Sequence, residues 1–371
     1  VYPNQLRVWH NPIGLGARLM KVLAKNCEDM GVQLLSGTSG KRILREAKGN
    51  INGVVVAKEG EEFQITTRSV IIATGGFGGN TELLKKYCPP YYDSIRLLCL
   101  PLTGDGLLMA AETGAAIADS IPIIKEGPIP DTGGFMKMGG LGGIVKEPYT
   151  VWVNKKGRRF IDETAGFMVV ESGNAILLQP DRVSYTLFDD QIRQNMEEKG
   201  LLMGRGKHED MERRGMPGLE KELQRKAKEH KGNLAKISDS WDGIAGWIGA
   251  DPKVLKATID EYNSFCDHGY DEVFAKDRRY LLPLRRAPYY AIRCCGGFID
   301  TLGGIKVNEH MEVRDTQDKI IPGLYAAGVI ADGFESDTPI SYVLCGSTFG
   351  FAINSGRIAG ENAAKYVSRN R

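Results

Sequence analysis

The spacing of apolar and polar residues predicts two clearly bounded amphipathic helices. In residues 16–30 the apolar side chains recur every three or four positions, and Gly31 follows as a helix stop. In residues 251–265 Asp251 precedes Pro252, the order expected of a capping carboxylate followed by the first helical residue. Both segments place their apolar residues at helical spacing, as expected of amphipathic helices.

Extended segments follow a different pattern. Three of them alternate apolar and polar residues and predict a small antiparallel sheet: residues 32–35, 51–58 and 63–67. Residues 69–74 form a nearly continuous apolar run that ends at Gly75 and Gly76, as expected of a buried parallel strand whose end brings the backbone close to a ligand. A second apolar run, residues 321–327, ends at Gly328, where a strand would have to turn.

Near the C-terminus, small and hydroxyl-bearing residues directly precede an apolar helix rich in alanine and glycine. Residues 341–364 contain Gly346, Ser347 and Thr348 just before that helix. A strand that leads through a glycine-rich turn into a helix presents backbone N–H groups and a helix N-terminus to a polar, electron-poor or anionic ligand. We therefore expect a ligand-binding edge here.

Composition and charge argue against several classes of function. The 371 residues carry a net charge of +2, which gives no field for nucleic acid or an anionic membrane, and no run approaches the roughly 18 apolar residues of a membrane helix. The seven cysteines form no Cys-x-x-Cys pair, and the histidines lack metal-ligand spacing, so we expect neither a disulfide framework nor a metal site. Adjacent Cys294 and Cys295 are expected to be buried small hydrophobic residues rather than a redox pair. Such cysteines indicate a reducing compartment, and we expect the cytoplasm.

Five segments resemble, in order along the chain, the fumarate reductase/succinate dehydrogenase flavoprotein family, in particular its soluble fumarate, urocanate and enoate reductases and 3-ketosteroid dehydrogenases. The matching segments are residues 70–79, 103–106 with 112–115, 153–163, 302–305 and 341–364. The resemblance implies an α/β protein in which a Rossmann-like FAD-binding domain, incomplete at its N-terminus, carries an inserted α+β capping domain. The expected boundaries are 1–119 for the first part of the FAD-binding domain, 120–295 for the cap and 296–371 for the second part.

The resemblance also implies which residues hold the cofactor, FAD. They lie at the ends of the two apolar runs, before a predicted helix at 107–116 and at the start of the C-terminal helix: Ala73, Thr74, Gly75, Gly76, Thr103, Gly104, Asp105, Gly328, Gly346, Ser347, Thr348 and Phe349. Asp105 is also expected to cap the 107–116 helix. A capped core helix and a cofactor contact are compatible at this position, and the sequence leaves both open.

One feature of the family is absent from the sequence. The strand, the Gly-x-Gly-x-x-Gly turn and the acidic residue that hold the FAD pyrophosphate and ribose have no counterpart, so we expect the chain to be part of a longer protein. Residues 14–16 and 139–143 are glycine-rich but lack the strand–turn–helix order and are expected to be loops. Two interpretations follow: a FAD-dependent oxidoreductase, or a cofactor-free, non-catalytic fragment of one. No haem-attachment motif occurs, so electrons are expected from an external donor.

The resemblance bears on the substrate through residues that differ. Members that reduce fumarate use two arginines and a histidine on the substrate, and the matching positions here hold Phe167, Val343 and Ile299–Asp300. Without bidentate arginines a dicarboxylate loses charge-assisted hydrogen bonds. The expected reaction is therefore FAD-dependent hydrogen transfer across a C–C bond next to a carbonyl, in an unsaturated carbonyl compound less anionic than fumarate.

Three residues are candidates for proton transfer or substrate contact. Tyr342 precedes the glycine-rich turn and is a candidate general acid or base, although a tyrosine packed at a domain interface fits as well. Lys146 falls near the position of a proton-relay arginine in the family, and its alternative is an ordinary surface lysine on a loop. Asp300 is expected to accept a hydrogen bond from a substrate hydroxyl. Arg158 and Arg159 are expected to hold a turn of the cap rather than substrate.

Overall fold

The computed structural model describes residues 15–46, 49–89, 93, 95–98, 100–132, 140–202, 215–334 and 347–369. The helices are α1 (Leu15–Asp29), α2 (Thr81–Tyr87), α3 (Asp105–Glu112), α4 (Leu141–Ile144), α5 (Val169–Leu177), α6 (Asp190–Lys199), α7 (Leu219–Lys228), α8 (Trp241–Ile248), α9 (Pro252–His268) and α10 (Ser347–Arg369). The strands are β1 (Thr38–Arg45), β2 (Ile51–Lys58), β3 (Glu61–Thr66), β4 (Val70–Ile72), β5 (Ile95–Leu97), β6 (Ile123–Pro130), β7 (Val151–Val153), β8 (Val183–Asp189), β9 (Ala235–Ser238), β10 (Tyr289–Thr301), β11 (Glu312–Arg314) and β12 (Ile320–Ala326).

The described residues group into two compact units. The first unit draws on Val1–Leu83, Leu102–Pro122 and Thr301–Arg371, and the second draws on Leu84–Pro101 and Ile123–Asp300. The segment Leu84–Pro101 therefore lies in the second unit, whereas the sequence places it in the first part of the FAD-binding domain. The reason is the pairing of β5, which lies parallel to β10 with Ile95 opposite Gly296.

The first unit contains two three-stranded sheets. Strands β1, β2 and β3 pair in that order and antiparallel, which confirms the small antiparallel sheet. In the other sheet β12 lies between β11 and β4, and it runs parallel to β4. The parallel strand expected at residues 69–74 is thus confirmed, although the side chain of Ile71 is 39% exposed instead of fully buried.

One predicted strand of the first unit is wrong. Residues 32–35 form no strand, and the side chains of Val32 and Leu35 are 51% and 52% exposed. The first strand of the antiparallel sheet is β1, in which Ile43 is the buried hydrophobic residue. Strand β1 forms through backbone pairing with β2, interrupted by two register shifts, rather than through an alternation of its own side chains.

The second unit is built on a six-stranded sheet around β10. Strands β5, β6, β8 and β9 each pair with β10, and β7 pairs with β8. The main core packs on this sheet and includes Ile259 and Tyr262 of α9. Helix α9 has the predicted cap, since the carboxylate of Asp251 accepts a hydrogen bond from the Lys253 amide at 2.8 Å.

The structure also bears on the adjacent cysteines and on membrane-spanning helices. Cys294 and Cys295 are buried in β10 as free thiols, and burial raises the pKa of Cys294 to about 12, so both behave as the predicted small hydrophobic residues. Within the part of the chain that the structure describes, no helix has the length and apolar character needed to cross a bilayer.

Candidate functional site

In the first unit, two parallel strands deliver the predicted cofactor residues to one edge. Because β4 and β12 are parallel, their carboxyl ends meet at the same side of the sheet, and the Ala327 amide still donates to Ile72 O at 2.9 Å. The residues that follow β4, Ala73 and Thr74, are exposed. Gly328 follows β12 with a φ of 74° and begins a 3₁₀ turn. The edge is therefore formed by backbone and small side chains.

Helix α3 begins directly against this edge. Gly104, with a φ of 80°, is the N-cap residue of α3. Because glycine has no side chain, no side-chain cap accepts a hydrogen bond from the first N–H groups of the helix. A Cβ at Gly106 would clash with Thr74 Oγ1 and would lie 2.7 Å from Ile72 Cγ2. Glycine thus permits α3 to approach the end of β4 more closely than any other residue would.

The expectation that Asp105 caps this helix is wrong. Asp105 is the first residue inside α3 and is exposed, while Gly104 takes the cap position. Only glycine fits at this cap position, since a Cβ at Gly104 would lie 2.6 Å from Leu83 Cδ1 and 2.7 Å from Phe77 Cβ. Asp105 still supplies a negative charge in the first turn, where it favours the helix dipole.

The loop after β4 is tied to the segment that precedes α3. Gly75 has a φ of 75°, and a Cβ there would lie 2.8 Å from Leu102 Cδ1. The Gly79 amide donates to Leu102 O at 2.8 Å, and the side-chain amide of Asn80 donates to Thr103 O at 2.9 Å. Sequence reasoning missed Asn80, which has no signal beyond its place between two glycine-containing segments.

Helix α10 supports the other side of the edge. Its Ser355 hydroxyl accepts a hydrogen bond from the Gly328 amide at 2.9 Å, and its buried Ala359 packs with Tyr325 of β12. The first residues of α10, Ser347 to Phe349, are half-buried or exposed. Tyr342 and Gly346 lie outside the described residues. Small residues on α10 allow it to lie close to β12.

Another ionisable group near this edge was not singled out from the sequence. Asp332 follows the 3₁₀ turn at Gly328–Ile330, and a Cβ on Gly303 would lie 3.0 Å from its Oδ1. Burial raises the pKa of Asp332, while the Gly333 amide and the charge of Lys306 oppose that rise.

This edge is the candidate site for the flavin ring of FAD. Gly104 and Gly106 pack closely against neighbouring protein atoms, whereas a Cβ at Gly328 would meet no atom within 4 Å. Thr74 and Thr103 present exposed hydroxyl side chains beside the start of α3. Backbone N–H groups at a helix start and nearby hydroxyls can form hydrogen bonds to a polar, electron-poor ring.

In the second unit, Lys146 is not an ordinary surface lysine. Its side chain is 12% exposed and forms an ion pair with Glu126, which is 10% exposed. The backbone of Lys146 also supports a turn at Glu163–Phe167, because a Cβ on Gly166 would lie 2.5 Å from Lys146 O. Sequence reasoning missed Glu126, since a partner 20 residues away in a proline-containing strand follows no local spacing.

A buried charge network fixes the start of that turn. One guanidinium nitrogen of Arg159 lies 2.9 Å from Glu163 Oε2 and 2.8 Å from Asp271 Oδ2, and Lys276 Nζ lies 3.1 Å from Glu163 Oε2. Burial alone would raise the pKa of Glu163, but the charges of Lys276 and Arg159 outweigh it and lower the pKa. The expectation that Arg159 holds a turn of the chain is confirmed.

The remaining candidates of the second unit lie on separate elements. Asp300 is half-buried at the carboxyl end of β10. Phe167 ends the 3₁₀ turn at Glu163–Phe167, and its ring centroid is 6.1 Å from that of Tyr280. The described residues include no cluster of three or more metal-ligating side chains.

Comparison with known proteins decides the family. Residues 3–348 match the family model described as FAD binding domain. The chain belongs to this family. Its cofactor is FAD, and its relatives place it with the fumarate reductase/succinate dehydrogenase flavoproteins, as the five sequence segments predict. The α/β fold is confirmed as well, and the protein is an oxidoreductase in general class.

Individual relatives cover nearly all of this chain. It is similar to vinyl phenol reductase of Lactiplantibacillus plantarum, with 31% identity over 97% of this chain and 73% of that protein. It is also similar to the cytochrome fumarate reductase of Shewanella frigidimarina, with 29% identity over 97% of this chain and 57% of that protein. The open conformation of a flavocytochrome c3 fumarate reductase superposes with a TM-score of 0.66 and 26% identity over 96% of this chain and 57% of that one. The chain thus spans between 57% and 73% of the length of these relatives.

Proposed function

We propose that the protein takes part in FAD-dependent addition or removal of hydrogen across a C–C bond next to a carbonyl, in a substrate less anionic than fumarate. When bound, FAD would carry the hydride at its ring nitrogen N5, donating it from the reduced state if hydrogen is added and accepting it in the oxidised state if hydrogen is removed. In the first unit, the backbone edge around Gly104, Gly106 and Gly328 holds the flavin ring. In the second unit, the surface around Phe167 and Lys146 contacts the substrate.

The substrate part of this proposal rests on the ion pairs that Arg159 and Lys146 already form with carboxylates of the same unit. Arg159 is 4% exposed and is already paired with two carboxylates, and its guanidinium carbon lies 5.0 Å from the ring centroids of both Tyr262 and Phe274. Lys146 is paired with Glu126. A carboxylate that paired with either of these cations would weaken an ion pair that already exists in this unit. A neutral substrate has no such effect.

Lys146 is the described group that fits a proton donor to the substrate carbon. Its ammonium is partly buried, so a substrate that excludes water strengthens its interaction with a developing negative charge. The adjacent carboxylate of Glu126 holds the ammonium in position. Asp300 remains a candidate for contact with a substrate hydroxyl, and Tyr342 remains a second candidate acid.

Turnover with reduced dye tests the substrate class. The flavin-loaded protein is reduced by an external dye, and its reoxidation is followed with fumarate and with a neutral enone at equal concentrations. We expect the enone to be reduced and fumarate to react at least about 100-fold more slowly, as loss of two charge-assisted contacts implies. Reoxidation by fumarate as fast as by the enone would overturn the substrate assignment. A purified protein without flavin absorbance would favour the alternative of a non-catalytic fragment.

Two substitutions test the proton donors. Lys146→Met is expected to slow reoxidation by the enone by about 100-fold or more while flavin content stays unchanged, the range typical of a lost general acid. Lys155→Met is the matched control, because Lys155 is 46% exposed and pairs only at the surface of the same unit with Asp181. Tyr342→Phe gives the same test for the tyrosine. A variant that loses flavin with its rate per bound flavin intact identifies a packing residue instead.

A further inference from the structure

Three aromatic side chains of the second unit, Tyr149, Phe167 and Tyr280, form an aromatic trio. Tyr280 is central, with its ring centroid 5.6 Å from that of Tyr149 at an interplanar angle of 67° and 6.1 Å from that of Phe167 at 51°. All three residues are half-buried. Inclined rings at these separations attract one another edge to face.

Separate anchors fix the members of the trio. Tyr280 ends a short 3₁₀ turn whose first residues are capped by Asp277, and Leu281 after it is buried. Tyr149 packs against the main core of the unit. Phe167 ends the turn that the charge network holds at Glu163. Three independent anchors make the trio a preformed surface.

The trio lies beside the proposed proton donor. Gly166, next to Phe167, packs on the backbone of Lys146, and Tyr149 follows Lys146 by three residues through the turn in which the Thr150 amide donates to Glu147 O. The backbone of Lys146 and two members of the trio thus belong to one packed region of the second unit.

We propose that the aromatic trio binds an aryl ring of the substrate, with Tyr280 as the residue that determines this specificity. The inference rests on the proposed function and adds the substrate class, an enone or related alkene conjugated to an aromatic ring. The charged neighbour of Tyr280 is already committed, since Arg279 pairs with Asp277 at 2.8 Å while lying over the Tyr280 ring at 5.5 Å. The aromatic rings therefore provide the apolar contacts of this surface, and the test below decides whether they select an aryl ring.

The test compares two substrates that differ only in aromaticity. Benzalacetone and the same enone with a cyclohexyl ring are offered to the flavin-loaded protein, and kcat/KM is measured for each. We expect Tyr280→Leu to lower the aryl-to-cyclohexyl ratio by about 3- to 10-fold, the size of one aromatic pair. Tyr280→Phe keeps the ring and should keep the ratio. Tyr270→Leu, at a tyrosine that is 61% exposed, is the matched control.

Each outcome decides the assignment. An equal loss for both substrates in Tyr280→Leu, or an unchanged ratio, overturns it. If Tyr280→Leu does not fold, Phe167→Leu is judged by the same ratio. If the wild type reduces neither enone, the proposed function fails, and the trio is then judged by benzalacetone binding to the full chain. A Kd raised at least about 3-fold by Tyr280→Leu but not by Tyr270→Leu supports the aryl site, and an unchanged Kd refutes it.

Discussion

Replacing Glu163 with glutamine is expected to destabilise the second unit strongly. The substitution preserves the shape of the side chain but leaves the cations of Arg159 and Lys276 with Asp271 as their only remaining carboxylate in this network. The side chains of Glu163 and Lys276 are 0% exposed, so water does not replace the lost contacts. Removing one member of a buried ion pair costs about 3–5 kcal/mol. For a unit of this size that corresponds to a fall in Tm of roughly 6–20 °C, measured by thermal unfolding at neutral pH.

Two further variants separate the network from a general effect of lost charge. Asp260→Asn removes an ion pair with Lys256 whose side chains are 60% and 64% exposed, and it is expected to change the free energy of unfolding by less than about 0.5 kcal/mol. Glu163→Gln combined with Lys276→Met removes both charges and should recover much of the loss. The reasoning is refuted if Glu163→Gln lowers Tm no more than Asp260→Asn does.

Two other predictions use the same kind of measurement. The pKa values of Glu163 and Asp271 are lowered in the folded state. The stability that these carboxylates provide is therefore fully present above about pH 5 and is lost as the pH falls through the folded pKa values. A Tm that stays constant from pH 7 to about pH 3 would contradict this. Gly106→Ala is expected to cost about 1–3 kcal/mol and to reduce flavin content, because the new methyl group meets Thr74, whereas Gly356→Ala on α10, with open space around it, should cost nothing. Equal stability and flavin content in the two alanine variants would show that α3 does not approach β4 as closely as described.

The helices and the hairpin were predictable because their signals are local. The cap of α9 needs only Asp251 and the amide of Lys253, two residues apart. Strands β2 and β3 show their pairing through a short polar turn. Strand β1 was not predictable in the same way, because its polar residues become a strand only through pairing with β2. A run such as residues 32–35, apolar but without a partner strand, is the corresponding false signal.

The segments of the proposed flavin site were predictable from the sequence, but their geometry was not. Glycines at 104 and 106 mark a close approach, yet only the packed structure gives their partners, Phe77 and Leu83 for Gly104 and Thr74 for Gly106. Capping preference favours Asp105 as the N-cap residue, whereas in the packed structure Gly104 takes that position.

The partners of the buried ion pairs could not be predicted, because they are far apart in the sequence. Glu126 pairs with Lys146 across 20 residues, and Arg159 pairs with Asp271 across 112. Residue type alone does not say which of several carboxylates a cation will meet. The sequence could therefore suggest that Arg159 holds the chain, but it could not name Asp271 as the second anchor.

In the segment 153–163 and the turn that follows it, the residues that hold the structure are separate from the residue whose side chain type can vary, Phe167. Arg159 and Glu163 point into the buried network, where any substitution that alters charge is costly. Phe167 stands four residues beyond Glu163, at the end of the same turn, and is half-buried beside Tyr280. A change at position 167 therefore leaves the network intact, and the turn can present a guanidinium or an aromatic ring from the same backbone. This separation makes a family member with an aromatic-binding surface physically reasonable without any rearrangement of the fold.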